Sequence, residues 1–194
     1  IGSTTSDIIP IWRGRPTARN LTDTERLLSG ELVYTGVRRT PVCALLGSDG
    51  MAEFFATMHD VHLILGHVTE CETDTDTADR RPATRRYALA RLARMIGGDF
   101  DITPEAVVVR LAEMVADRQK ELLRKAVLNV ASRLPAMPST VIVAGSGEFL
   151  AAWTAASAFG AGMKYVSLTQ QLGADVSRAA CAHAVAVLAI EMAG

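Results

Sequence analysis

Three short stretches of this 194-residue chain combine residue types that bind or polarise anions. The first is Gly2, Ser3, Thr4, Thr5 and Ser6. Its glycine lets the backbone approach a ligand closely, and its hydroxyls and successive N–H groups can form an anion-binding concavity. A polar turn joining two ordinary strands has the same composition. The second is Gly145, Ser146, Gly147 and Glu148, placed where a strand feeds a helix. That junction is the usual ligand edge of an open α/β sheet, and the helix start can receive phosphate or hold a base. It is neither a full dinucleotide fingerprint nor a Walker loop, and a plain tight connection reads similarly. The third runs from Tyr34 to Pro41 and sets Arg38 and Arg39 beside Gly36. Paired guanidiniums clamp phosphate or carboxylate through bidentate bonds, unless the pair is simply solvated.

Carboxylates and imidazoles offer weaker signals. Glu70, Glu72, Asp74, Asp76 and Asp79 form an acidic stretch that can supply oxygen ligands to Mg²⁺, or can be an exposed loop. Asp7, which closes the first glycine loop, is the candidate metal ligand. His59 and His62 share a face if their segment is helical, and His67 follows, but no well-spaced third ligand accompanies them for zinc. Cys43, Cys71 and Cys181 are odd in number and widely spaced, which points away from a disulfide framework and toward a reducing cytoplasm. Cys43 and Cys181 have apolar neighbours and read as buried small residues.

The elements that must position these groups follow from pattern. Ile1, the Gly2–Thr5 turn and Asp7 to Trp12 read as strand, turn, strand, followed by a turn at Arg13–Pro16 and a polar link. Thr22 and Glu25 have capping-box spacing for a short helix ending at Gly30. Leu32 to Thr35 is extended, and Val42 to Leu46 reads as a strand before the turn at Gly47–Gly50. Met51 to His59 and Val61 to Val68 fit helix or strand. Pro82 is suited to the first position of a helix reaching Ile96, ended by Gly97 and Gly98. Thr103, Pro104 and Glu105 start another that continues to Arg133, where a break near Asp117 is expected on length. The last third reads as strand Thr140–Ala144, helix Glu148–Phe159, a break at residues 160–162, strand Lys164–Leu168 and helix Asp175–Met192. This order predicts parallel strands covered by helices. Alanines 179, 180, 182, 184 and 186 would let the last helix pack closely on a neighbour.

Composition sets the outer limits. Hydrophobic residues make up 49% of the chain, enough for a sizeable core. The formal net charge is −1, from 20 Lys plus Arg against 21 Asp plus Glu, which argues against nucleic acid or an anionic membrane as the main partner. The longest apolar run, Ala184 to Ile190, is too short to span a bilayer.

The motifs also carry a resemblance. Residues 1–10 resemble the second phosphate loop of the actin-like ATPase superfamily, which includes sugar kinases, chaperone ATPases and actin. They are more closely similar to that loop in hydantoinase/oxoprolinase-related proteins linked to tetrahydromethanopterin one-carbon transfer. Tyr34–Pro41, the phrase Thr77, Asp79, Arg81, Pro82, Ala83, Thr84, Arg85, and Gly145–Glu148 match the same family, so the resemblance covers essentially the whole chain. Arg80 stands where that family usually has glycine.

The resemblance implies an α/β actin-like ATPase (ribonuclease-H-like) fold, C-terminal portion, with a mixed sheet flanked by helices and a mostly helical insertion. Residues 1–60 would start the nucleotide-side lobe, 61–135 form the insertion and 136–194 return to the lobe. An N-terminal lobe carrying the first phosphate loop would lie outside this sequence, with the ligand in the cleft between lobes. Implied functional groups are Gly2, Ser3, Thr4 and Thr5 for phosphate, Gly145, Ser146, Gly147 and Glu148 for nucleotide or substrate, and Arg38, Arg39 and Asp79 in catalysis. Mg²⁺ is the implied cofactor, with ATP an open second, and a small-molecule diphosphate or nucleotide is the implied partner. Some family members are described as synthases that join a furan-methyl diphosphate to γ-glutamyltyramine in methanofuran biosynthesis, the amine attacking the furan-methyl carbon. An ATP-dependent small-molecule kinase and a non-catalytic nucleotide-binding or scaffold module remain alternatives. Apolar surface left open by a missing lobe would favour a homodimer.

Overall fold

The computed structural model describes residues 1–17, 22–160 and 162–193. The polar link at 18–21 and the middle of the expected 160–162 break lie outside the described residues. In chain order the elements are β1 (Ser6–Asp7), β2 (Ile11–Trp12), β3 (Arg15–Pro16), α1 (Asp23–Ser29), β4 (Leu32–Val33), α2 (Val42–Leu46), a 3₁₀ turn (Gly47–Asp49), α3 (Met58–Ile64) and α4 (Arg85–Arg94). There follow α5 (Glu105–Ala131), β5 (Thr140–Val143), α6 (Glu148–Phe159), β6 (Lys164–Ser167), α7 (Leu168–Leu172), α8 (Ala174–Arg178) and α9 (Ala180–Ala193). Two compact units result, Ile1–Val33 with Arg124–Gly194 and Tyr34–Leu123. Helix α5 contributes residues to both.

The first unit is α/β. Its strands form three separate pairs rather than one mixed sheet: β1 with β4 and β2 with β3 antiparallel, β5 with β6 parallel. The parallel pair follows the strand–helix–strand order read from the sequence, because a parallel partner needs a crossover and α6 supplies it. The single strand expected over Asp7–Trp12 is interrupted at residues 8–10, where Pro10 sets a fixed φ. Beyond it Arg13 and Gly14, at φ 51° and 76°, make the tight hairpin turn of β2 and β3. Helix α1 begins as expected: Thr22 Oγ1 accepts from Glu25 N–H, and Glu25 Oε2 accepts from Thr22 N–H at 3.1 Å.

Three expectations fail at the C-terminal end. The helix expected over Asp175–Met192 is divided into α8 and α9 at Ala179. Helix α9 packs its alanines on little, since Val185, Ile190 and Met192 are exposed. Cys181 is likewise exposed rather than buried.

The second unit is helical around one apolar cluster that includes Val42, Leu46, Met58, Val61, Leu92 and Val115. Val42–Leu46 is a helix and not the expected strand. Pro41 sits at its N-cap, and the i, i+4 pair Val42 and Leu46 faces the core, a choice that five apolar residues cannot declare in sequence. Helix α4 begins at Arg85 and not at Pro82. Ala83 is held extended, accepting from Cys71 N–H at 2.9 Å and donating to Asp74 O at 2.7 Å, so Thr84 becomes the cap. Helix α5 runs unbroken past Asp117. No helix among the described residues is long and apolar enough to cross a membrane.

Candidate functional site

In the first unit the two glycine loops are tied together. Ile1 N donates to Ala144 O at 2.8 Å, and Gly147 N donates to Ile1 O at 2.9 Å. Ile1 therefore lies along the end of β5, and the Gly2–Thr5 turn springs from it. That turn closes on itself, Gly2 N–H donating to Thr5 O at 2.8 Å, which takes the Gly2 donor out of use for an anion. The hydroxyl-bearing residues Ser3 and Thr4 form its tip.

Glu148, the first residue of α6, is a hub. Its carboxylate accepts from Ser167 Oγ, from Thr169 N–H and Oγ1 at 3.2 and 2.6 Å, and from Ser177 Oγ at 2.8 Å. Gly145 N–H in turn donates to Ser177 Oγ at 3.0 Å. Burial pushes the Glu148 carboxyl up, but the donors from Ser167, Thr169 and Ser177 outweigh it and hold it below its ordinary range. Glu148 thus shapes the loop, with its oxygens already engaged by four donors. Asp7 pairs with Arg26 at 2.8 Å, so its carboxylate has a cation already.

In the second unit Arg38 and Arg39 part company. Arg38 places one NH2 at 2.8 Å from both Asp74 oxygens and at 3.2 Å from Asp76 O. The Arg38 bond holds the Asp74 carboxyl below its usual range. Arg39 is 67% exposed, and among the described residues its one ion pair is a 3.9 Å approach to Asp76. Asp79 is also engaged: Oδ1 accepts from Arg91 NH1 at 2.9 Å and from Arg81 N–H at 3.2 Å. Its Oδ2 is buried, with Arg81 Nε 4.0 Å away and no hydrogen-bond partner among the described residues. Arg91 is fully buried and also reaches Asp60 Oδ1, with Nε at 2.8 Å and NH2 at 2.7 Å. Asp60 Oδ2 accepts from Thr57 N–H at 2.9 Å and so caps α3. The acidic stretch is a largely exposed loop in which Asp74, Asp76 and Asp79 are salt-bridged. Among the described residues no group of three His, Cys, Asp or Glu side chains is placed to hold a metal ion.

A family model described as hydantoinase/oxoprolinase matches residues 1–191. The chain belongs to that family. Two relatives carry the name (4-{4-[2-(gamma-L-glutamylamino)ethyl]phenoxymethyl}furan-2-yl)methanamine synthase. One, from Methanococcus vannielii, is 30% identical over 201 aligned residues covering 97% of this chain and 87% of the relative. The other, from Methanocaldococcus jannaschii, is 31% identical over 196 residues covering 97% of this chain and 57% of the relative. The chain thus spans little more than half the length of that second relative.

Within this hydantoinase/oxoprolinase chain, Gly2–Thr5 and Gly145–Glu148 share one unit and are joined through Ile1. Arg38, Arg39 and Asp79 share the other. Sequence reasoning missed Arg91, Asp60 and Gln119. The helical period placed Arg91 beside the buried Ala88 and Leu92, and a charge on that face is the signal that a carboxylate must be waiting.

His62 and His67 are joined in a hydrogen-bonded chain with Gln119. His62 Nε2 meets Gln119 Oε1 at 3.2 Å, and its Nδ1 meets His67 Nδ1 at 3.2 Å. Burial, then the neighbouring His67, depresses the His62 imidazole to about 3. The folded protein therefore keeps His62 neutral while the unfolded chain protonates near 6.5, so stability is lost as pH falls from 6.5 toward 3. Between pH 6.5 and 5.5 His62 alone is expected to remove about 1 kcal/mol. His59 and His67, also depressed by burial, act in the same direction. Urea unfolding across that interval, compared with His62→Gln, tests it. A variant with an unchanged slope would show that His62 is not the titrating group.

Proposed function

We propose that this chain is the portion of a synthase that forms an aryl ether between a furan-methyl diphosphate and the phenol of γ-glutamyltyramine. The observation that carries this reading is the match to two synthases of that product over 97% of the chain. The name of the relatives' product contains a phenoxymethyl link, which is a carbon–oxygen bond. The phenolic oxygen, and not the amine expected from the sequence, is therefore the nucleophile. Its O–H proton is lost, the bond from the furan-methyl carbon to the diphosphate oxygen breaks, and diphosphate leaves with the electron pair. Charge building on that leaving group is what a site must stabilise.

Arg39 is the proposed diphosphate contact in the second unit, because Arg38 is consumed by Asp74 and Asp76. Independently of Arg39, Ser3, Thr4 and Thr5 of the first unit are proposed as hydroxyl donors to a phosphate group. Asp7, the expected Mg²⁺ ligand, is paired with Arg26, and among the described residues no three His, Cys, Asp or Glu side chains converge. Mg²⁺ is assigned to the diphosphate as its counter-ion. The strand–turn–helix–strand unit from β5 to β6 supports the further proposal of an actin-like ATPase fold. The joining of two glycine loops through Ile1 favours ATP-dependent phosphotransfer as a second reading.

Incubating the protein with aminomethylfuran-methyl diphosphate, γ-glutamyltyramine and Mg²⁺ should give the ether by mass spectrometry and one equivalent of pyrophosphate. ADP formed from ATP, with no ether, would replace the synthase reading by the kinase. Ligand binding without either product would leave a non-catalytic module.

A further inference from the structure

We infer that the buried Gln119 is a positioning residue that sets the direction of Arg39, an inference that rests on Arg39 meeting a diphosphate. Gln119 is fully buried on α5. Its amide nitrogen donates to Thr35 Oγ1 and to Gly36 O, both at 2.9 Å. Its Oε1 meets His62 Nε2 at 3.2 Å, so all three contacts agree on one orientation of the amide. With that orientation Nε2 of neutral His62 carries the proton.

The turn that Gln119 holds is closed by its own residues. Thr40 Oγ1 lies 3.2 Å from Thr35 Oγ1, accepts from Gly36 N–H at 2.9 Å and reaches Gly36 O at 3.3 Å. The backbone is fastened further along as well. Arg38 O accepts from His59 N–H at 3.2 Å, and Thr40 O accepts from Met58 N–H at 2.9 Å. Arg38's side chain is spent on Asp74 and Asp76. Between these fastenings the large side chains that remain in solvent are Tyr34 and Arg39, 68% and 67% exposed. A turn pinned at Thr35, Gly36, Arg38 and Thr40 has little freedom except at the guanidinium it presents. Pre-organisation of this kind is what makes one exposed cation specific for an anion, because displacement by about 1 Å weakens a contact many-fold. Gln119 reaches the turn's interior from α5 through two donated bonds.

Inorganic pyrophosphate binding, read by calorimetry on four proteins, tests this: unsubstituted, Gln119→Met, Arg39→Ala and the double variant. Gln119→Met is expected to weaken binding about tenfold when Arg39 is present and less than twofold when it is absent. If Gln119→Met does not fold, Thr40→Val replaces it in the same cycle, with Thr40→Ser restoring the hydroxyl and the affinity. Additive losses, or no loss, overturn the role of Gln119 and leave the diphosphate reading standing. Binding that Arg39→Ala leaves untouched removes Arg39, and this inference with it. No pyrophosphate binding by the unsubstituted protein sinks both the inference and the diphosphate reading.

Discussion

Replacing Arg91 by methionine is expected to remove about 3–5 kcal/mol of folding stability, the usual cost of stripping one partner from a buried ion cluster. Arg91 is fully buried, and its three nitrogens lie 2.7–2.9 Å from Asp60 Oδ1 and Asp79 Oδ1. Methionine fills much of the same volume, so the loss reports charge and not a cavity. Without the guanidinium, the buried Asp60 carboxylate loses its counter-charge and the largely buried Asp79 carboxylate keeps only the 4.0 Å approach of Arg81. Asp60 caps α3, and Asp79 fastens the loop that precedes α4, so both would loosen. Urea unfolding with the m-value monitored measures the effect. Neutralising one acid, as in Asp60→Asn with Arg91→Met, should restore part of the loss, because the carboxylate left without a counter-charge is then removed. A loss below about 1 kcal/mol in the single variant would mean that both carboxylates reach water without Arg91.

The same cluster shows which parts of the molecule were legible in the sequence. Elements with strong local signals emerged as read: the Thr22–Glu25 box, the start of α5 after Thr103 and Pro104, and the β5–α6–β6 crossover with its parallel pairing. The cap box and the helix start are each fixed by residues within a few positions of one another. The misread elements are those decided at long range. Val42–Leu46 becomes helical because residues 42 and 46 must both face the core, and α4 starts late because Cys71 claims Ala83 as a bridge partner. The division at Ala179 has no glycine or proline to announce it; it falls two residues after Ser177, whose hydroxyl is held by Glu148 and Gly145. The site was legible as motifs but not as roles. Sequence spacing put Arg38 beside Arg39 and could not tell which guanidinium Asp74 would take, because that acid lies 36 residues away. It placed Asp79 in a family phrase without showing that Arg91 binds it. Glu148 read as a ligand contact, whereas Ser167, Thr169 and Ser177 converge on it only once β6 and α8 have folded beside α6.

Gly145→Ala is expected to destabilise the first unit by about 2–5 kcal/mol and to unfasten its two glycine loops. Gly145 has φ +97°, a backbone conformation that L side chains rarely adopt. That alone costs about 1–2 kcal/mol. A Cβ there would also collide with the Ile1 carbonyl oxygen, a backbone atom that cannot rotate away. Forcing packed backbone apart adds about 1–3 kcal/mol. The same Ile1 oxygen accepts the Gly147 N–H, so the collision falls on the bond that joins the loops. Gly162→Ala is the matched control, since a Cβ there meets nothing within 4 Å and the position has no positive φ. It should change stability by less than about 0.5 kcal/mol. Hydrogen exchange at the Gly147 amide separates a local from a general effect. Fast exchange at Gly147 with protection retained in α6 would show that Ile1 depends on Gly145 for its seat. A stability loss under about 1 kcal/mol with Gly147 still protected would show that the backbone relaxes around the added methyl. The two loops would then have to be treated as separate sites, and the case for a joint nucleotide-binding arrangement, which rests on their union through Ile1, would fall.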